Sequence, residues 1–291
     1  MKWIACWRLV LVFLVLVVFV SARENKLEKD IPYKGEKLVD VSMDIGLGRV
    51  NVFPMEDSKY ILRAVVSYSS DEYKPLIEYF QLGSKGRLKL KSRKQEGKKF
   101  FGFRDSGVGK NLRNEWVLNF STLVPYDFEI NLGLGSGDLD FTNMKLRDFE
   151  MSVGLSDVKV RFGEKNEEEL RNFEVSTGLG NVTVYGLLNS NAEEFKVDCG
   201  MGSAVIYLRG EVQKDVTGYL TVGLGSMSVK ISRKFGVELR TEKSFLSSLG
   251  LDDFYEYDHG IYRSSNWDDA QHKIILFLEV GLGSIDIGWV D

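Results

Sequence analysis

Cysteine, histidine and proline are scarce in this chain, and each scarcity closes off a class of protein. There are two cysteines in 291 residues, and Cys6 lies in an apolar N-terminal segment, so no disulfide framework can hold a small secreted scaffold together. The two histidines, His259 and His272, lie near Asp252, Asp253, Asp258, Asp268 and Asp269. No HxH, HExxH or CxxC spacing turns them into a metal site, so neither a metal nor a cofactor is expected. A formal charge of -4 gives no basic footprint, which argues against nucleic acid as a partner. No apolar run reaches the ~20 residues of a spanning helix.

What is present points to a folded, strand-rich chain. The composition is 44% hydrophobic and 27% charged, ordinary for one or two globular domains. Only four prolines accompany 29 glycines, and Val, Ile, Phe and Tyr recur in alternation with polar residues, a pattern of strands and not of long helices. At the N-terminus, Lys2 and Arg8 precede an apolar run from Leu9 to Val20, followed by Ser21 and Ala22. Residues 1–22 are read as a secretory signal peptide cut after Ala22; the alternative is an uncleaved anchor that borrows Ile4 to Trp7. Either reading sends the remainder out of the cytoplasm. Loss of Lys2 and Arg8 would take the charge from -4 to -6.

The dominant feature is a repeated Gly-x-Gly. Copies stand at Gly46 and Gly48, Gly133 and Gly135, Gly154, Gly178 and Gly180, Gly200 and Gly202, Gly223 and Gly225, and Gly281 and Gly283. Leading glycines from 133 to 223 are separated by 21, 24, 22 and 23 residues, the signature of a repeat architecture. A phosphate-binding loop would occur once and open a helix, and Ser156 replaces the second glycine in the third copy. These are therefore read as turn glycines that supply positive φ or close backbone approach, with Leu179 and its equivalents filling the corner.

Around each turn the apolar positions alternate. In FEVSTGLGNVTVYG, Phe173, Val175 and Thr177 share one strand face, and Val182 and Val184 resume it after the turn. Cys199 takes the position of Val153, Thr177 and Val222, which suits a small buried thiol. One repeat cannot bury enough to fold alone, so neighbours must stack in register, giving an all-β single-domain solenoid of parallel strands with about 22-residue repeats. GSGDLDF (135 to 141) is superficially like a calcium-binding nonapeptide, but its period and irregular aspartates do not fit.

The layout expected is a linker at 23–38, then the solenoid at 39–291, with an irregular cap at 53–123 and an insertion at 235–272. Lys85 to Lys99 carries Lys85, Arg87, Lys89, Lys91, Arg93, Lys94, Lys98 and Lys99. It reads as a strand with Leu88 and Leu90 inward and a wet basic face; membrane proximity through this stretch or through the N-terminal segment is the alternative. Phe100, Phe101 and Phe103 follow, either packed over the cap or facing a membrane interface.

VPYDFEINLGLGSGDLDF (124 to 141) resembles the putative-adhesin domains of bacterial envelope proteins, also called toastrack domains. GIYRSSNWDDAQHKIILFLEVGLGSIDI (260 to 287) is similar to the C-terminal end of LiaF-like cell-wall stress proteins, where Tyr-x-Ser-x-Asn-Tyr/Trp precedes a final Gly-Leu-Gly strand pair. The resemblance implies a right-handed parallel β-helix-like stack, outside the cytoplasm, serving adhesion or stress sensing without catalytic residues. The several N-terminal membrane helices of many stress proteins are missing from this sequence.

The function expected is thus a non-enzymatic module contacting an envelope protein or surface polymer. Phe254, Tyr255, Tyr257, Tyr262 and Trp267 in the insertion are the candidate contacts, since Tyr and Trp suit recognition. The alternative is a polysaccharide-processing β-helix enzyme using Asp198, Glu174 and Glu150, carboxylates on outward positions of successive strands.

Overall fold

Period-two alternation is realised as strands throughout the computed structural model, which describes residues 25–56, 59–69, 74–92, 113–241, 249–251 and 253–290. The expected signal segment, Phe100, Phe101, Phe103, Arg93, Lys94, Lys98, Lys99 and Asp252 lie outside the described residues. In chain order the strands are β1 (Asn25–Pro32), β2 (Leu38–Met55), β3 (Tyr60–Tyr68), β4 (Leu76–Leu82), β5 (Lys85–Ser92), β6 (Asn114–Ser121), β7 (Pro125–Asp140) and β8 (Lys145–Arg161). They continue as β9 (Asn172–Thr177), β10 (Asn181–Tyr185), β11 (Glu194–Cys199), β12 (Ser203–Leu208), β13 (Val216–Val222) and β14 (Ser226–Ser232). The last are β15 (Gly236–Thr241), β16 (Leu249–Leu251), β17 (Phe254–Asp258), β18 (Ile261–Ser264), β19 (Lys273–Val280) and β20 (Ser284–Val290). A single 3-10 turn, Leu187–Ser190, is the only helical element among the described residues, and no helix there is long and apolar enough to cross a membrane.

Each rung is two strand segments meeting at a corner, and the rungs stack in parallel. First segments form the ladder β5, β2, β7, β8, β9, β11, β13, β19, β15. Second segments form the ladder β6, β2, β7, β8, β10, β12, β14, β20, β16. Strands β2, β7 and β8 bend through the corner and serve both. Inward side chains of the two ladders meet in one core: Val39, Val41, Met43 and Ile45 face Val50 and Val52 across the first turn, all buried. Rings of Phe128, Phe141, Phe149, Phe162 and Phe173 run up the stack at 5.2 to 6.0 Å between neighbouring centroids, mostly edge to face. Cys199 is buried in this core, and burial pushes its thiol pKa up.

Stacking order departs from chain order at both ends. The β5–β6 rung lies beneath β2, although it follows it in sequence. The β19–β20 rung slides between β13–β14 and β15–β16. The insertion expected at 235–272 is therefore partly the terminal rung, closed by the antiparallel pair β17–β18 laid on β15.

The linker expected at 23–38 is corrected as well. Residues Asn25–Pro32 are an edge strand, β1, antiparallel to β3, with Ile31 in the core. Beyond it Glu36 is buried, accepting hydrogen bonds from Tyr79 Oη at 2.6 Å and Lys34 N at 2.7 Å. In β5, Leu88 and Leu90 are buried, and Lys85 pairs with Asp40 at 3.0 Å.

At the corner the turn glycines form two columns in which each rung presses on the carbonyl beneath. A Cβ on Gly202 would stand 1.9 Å from Gly180 O, whereas one on Gly178 would stand 3.5 Å from Gly154 O. Positive φ accompanies the turn only at Gly48 and Gly135, so close approach is the general requirement. Ser92 and Asn114 stand beneath Gly46 and Gly48 at the first glycine corner: Asn114 Nδ2 donates to Ser92 Oγ at 2.7 Å and Leu47 O at 2.5 Å. Leu179 does not fill the corner as expected; it points outward, half exposed, because the glycines bend the chain away from the core on both sides of it.

Candidate partner-binding surface

Strand β15 is the last of its ladder to pair in parallel, and its other edge is taken by the antiparallel β17–β18 pair. Arg263 lies opposite Glu238 in the antiparallel register. Glu238 is buried and bridges two guanidinium groups, accepting from Arg240 Nε at 2.7 Å and Arg263 Nε at 2.9 Å. Burial raises the Glu238 pKa, but the hydrogen bonds from Arg263 and Arg240 outweigh it and hold the carboxyl below its ordinary value.

Aromatic rings flank both arginines. Arg263 packs on Tyr257 at 3.5 Å and on Trp267 at 4.9 Å from the ring centroids. Arg240 covers Phe277 at 5.2 Å, and Phe277 stacks on Tyr219 at 5.1 Å and 11°. The result is one continuous band of rings and cations across five strands, β13, β19, β15, β18 and β17. Beside it lies a groove of about 680 Å³ lined by Thr221, Glu279, Tyr219 and Phe277, with His259 and Gly260 of the hairpin turn along its rim.

A lowered folded-state pKa contributes stability that is complete above the unfolded value and is lost as pH falls through the folded one. Glu238 should therefore make the protein lose melting temperature below about pH 4.5. Glu238→Gln is expected to be less stable at neutral pH and to show a shallower loss between about pH 5 and pH 3. Thermal melts across that range check the slope, and parallel curves would refute the assignment.

The structure divides the five aromatic residues singled out in the sequence. Tyr255 and Tyr257 are exposed, 45% and 58%, on the face that carries Arg263. Tyr262 is buried in the core at 7% and seals it. Phe254, on the other face of β17, stacks on Trp289 at 5.4 Å, with Arg233 also over the Trp289 ring at 5.2 Å. Trp267 lies between Arg263 and Lys273.

The Tyr-x-Ser-x-Asn-Trp segment, Tyr262 to Trp267, is a staple for the terminal rung. Buried Ser264 accepts from Val237 N at 2.9 Å and donates to Asn266 Oδ1 at 2.7 Å. Asn266 Nδ2 donates to Arg233 O at 2.8 Å and Phe235 O at 3.0 Å. The short turn that feeds β15 is thus tied to the residues after β18.

Other candidate chemistry is dispersed. Lys196 Nζ sits 2.8 Å from Asp198 and 3.0 Å from Glu174, and these two hydrogen bonds hold its ammonium pKa above the usual range, so both carboxylates are engaged in one ion-pair cluster. Glu150 lies in register beside Glu174 on the neighbouring strand. Among the described residues no three His, Cys, Asp or Glu side chains converge as metal ligands. Glu238, Arg240, Arg263, Tyr219 and Phe277 were not singled out from the sequence. Their own strands show only ordinary outward positions, and although Arg240 and Glu238 are two residues apart, Arg263 joins them from 25 positions away and Phe277 meets Tyr219 across two strands.

No curated protein matches the chain. Among solved structures, a putative cell adhesion protein from Clostridium sporogenes aligns over 92% of this chain and 100% of its own, at 18% identity and a TM-score of 0.47. A putative adhesin from Bacteroides fragilis aligns over 92% and 99%, at 14% identity and a TM-score of 0.41. The family described as the N-terminal domain of toast_rack, DUF2154, matches residues 20–185, more than half of the sequence. The stacked, all-β chain therefore belongs to the toast_rack N-terminal domain family.

Proposed function

We propose that this protein is a non-enzymatic, adhesin-like interaction module of the bacterial cell envelope, which contacts an envelope protein or surface polymer through its C-terminal cap. The observation that carries this reading is the surface of the β17–β18 pair. Tyr255 and Tyr257 remain exposed there beside Arg263, whereas Tyr262 is buried and Phe254 is stacked on Trp289. A rigid stack that presents aromatic and arginine side chains at one end has the composition of an interface core, with the remaining rungs as scaffold. The signal-peptide reading of residues 1–22 and the family membership support an extracytoplasmic site of action. Envelope stress sensing fits the Tyr-x-Ser-x-Asn-Trp end as a narrower role.

The test is binding of the purified protein to isolated cell envelopes, compared with Tyr255→Ser/Tyr257→Ser. Both residues lie outside the core, so the variant should keep its melting temperature and bind about tenfold or more weakly. Unchanged binding by a folded variant would refute the cap as the contact surface.

A further inference from the structure

Each corner above the first, where Leu47 is half-buried, places a large apolar residue between its two turn positions, and the core does not use it. Leu134, Leu155, Leu179, Met201, Leu224 and Leu282 are 50 to 88% exposed. In-register stacking aligns them in one row, at ~4.8 Å per rung, so the row is roughly 24 Å long. Corner geometry demands the glycines, because their Cβ atoms would meet the carbonyls below. It makes no such demand on the residue between them, where serine or asparagine would leave the turn intact and better hydrated. A hydrophobe recurring at a solvent-facing position on consecutive rungs calls for something that covers it.

The shape around the row narrows the occupant. Glycines on either side lack side chains, so the leucines form a ridge between two shallow furrows. Beyond one furrow the side chains are small and mainly uncharged: Ser136, Asn181, Ser203, Ser226 and Ser284, with Asp157 among them. Such a surface is complementary to itself, since the ridge of one copy fits the furrow of another at the same rung spacing. Exposed area agrees: half or more of six large side chains is about 600 Å² of apolar surface, and the furrow shoulders bring it toward the ~800 Å² per partner of a standard interface. The charged flank residues are mostly acidic, Asp157, Asp198 and Glu279, which disfavours an anionic lipid surface.

We propose that the corner ridge is a self-association surface on which two copies of this chain pack side by side, each ridge seated in a glycine furrow of the other. A two-fold axis relates the copies and makes the contact closed, so a dimer and not a filament forms. The ridge lies on the corner edge of the stack and meets the groove beside the C-terminal cap at Gly223 and Gly281, whereas Tyr255 and Tyr257 lie on the hairpin beyond that groove.

Sedimentation equilibrium of the purified protein at about 1 to 100 µM tests the proposal. The expected result is a reversible monomer–dimer equilibrium. Leu179→Ser/Met201→Ser/Leu224→Ser should weaken it at least tenfold with the melting temperature retained, and Tyr255→Ser should leave it unchanged. The single variant Leu179→Ser, with a smaller weakening in the same direction, serves if the triple variant folds poorly. As a second readout, Leu179→Cys should form an intermolecular disulfide in the dimer and Tyr255→Cys should not. A wild type that stays monomeric over the range, or a dimer indifferent to the ridge substitutions, overturns the proposal. So does a monomer whose ridge instead binds neutral lipid vesicles.

Discussion

Gly202→Ala is expected to destabilise the protein by about 3 kcal/mol or more, whereas Gly178→Ala is expected to change stability by less than about 1 kcal/mol. The two glycines occupy neighbouring rungs of the same corner motif. At Gly202 the added methyl would stand 1.9 Å from Gly180 O and 2.9 Å from its carbonyl carbon, inside any real contact distance. Neither backbone can yield easily. Gly202 N donates to Gly178 O at 3.0 Å and Ser203 N to Gly180 O at 3.1 Å, so relief of the clash breaks the rung-to-rung bonds. At Gly178 the nearest atom is Gly154 O at 3.5 Å, an ordinary contact, and φ is not positive. Alanine there can even gain through a less flexible unfolded chain, by ~0.4 to 1 kcal/mol. Urea titrations of both variants, with the slopes compared to exclude a change in the unfolded state, measure the difference. Equal losses would show that the corner relaxes and that close approach is not why the glycines recur.

Why the sequence conveys so much of this fold follows from the same corner. A glycine pair followed by Val182 and Val184 at period two can be satisfied only by a bend between strands, and its recurrence at near-constant spacing requires stacked rungs. What the pattern omits is which rung lies on which. Inward residues of β15 and β19 are Val, Leu or Ile, as are those of β13 apart from Gly218, so the apolar pattern alone does not say whether β19 follows β15 or slips beneath it. The order is set instead by the cap, whose contacts join residues far apart in the chain. Strand β1 is hidden for another reason. Among NKLEKDIP only Leu27 and Ile31 face inward, and the charges that make it read as a linker are what keep an exposed edge strand from pairing with other chains. The exposed leucines were misread because an apolar residue beside glycine is normally core; here the bend points it to solvent.

The candidate surface was half legible. Aromatic residues clustered in one irregular segment marked the place, since a regular rung needs no such cluster. Their division into packing and contact groups was not visible, because it depends on pairing: Tyr262 and Phe254 turn inward or onto Trp289, while Tyr255 and Tyr257 share the face of Arg263. Glu238 could not be recognised at all, as Arg240 two residues along β15 is an ordinary outward neighbour and Arg263 of β18 meets it only once the terminal rung has formed.

That dependence makes the staple the second decisive site. Asn266→Ala is expected to cost about 2 to 4 kcal/mol, more than removal of any one exposed cap residue. Its amide nitrogen donates to the carbonyls of Arg233 and Phe235 at 2.8 and 3.0 Å, and its oxygen accepts a hydrogen bond from Ser264, a fully buried hydroxyl that in turn accepts from Val237 N. Alanine removes three hydrogen bonds at once and leaves Ser264 without an acceptor, a loss that burial prevents water from repairing readily. The damage should be local before it is global. Hydrogen exchange should accelerate most in β15 and β18, which the staple joins, and least in β8 to β12 in the middle of the stack. Ser264→Ala should reproduce the pattern more weakly, because Asn266 keeps both carbonyls. If Asn266→Ala instead lowers protection evenly along the chain, the terminal rung and the central stack unfold as one unit, and the Tyr-x-Ser-x-Asn-Trp segment is not a separate closure of the solenoid's end.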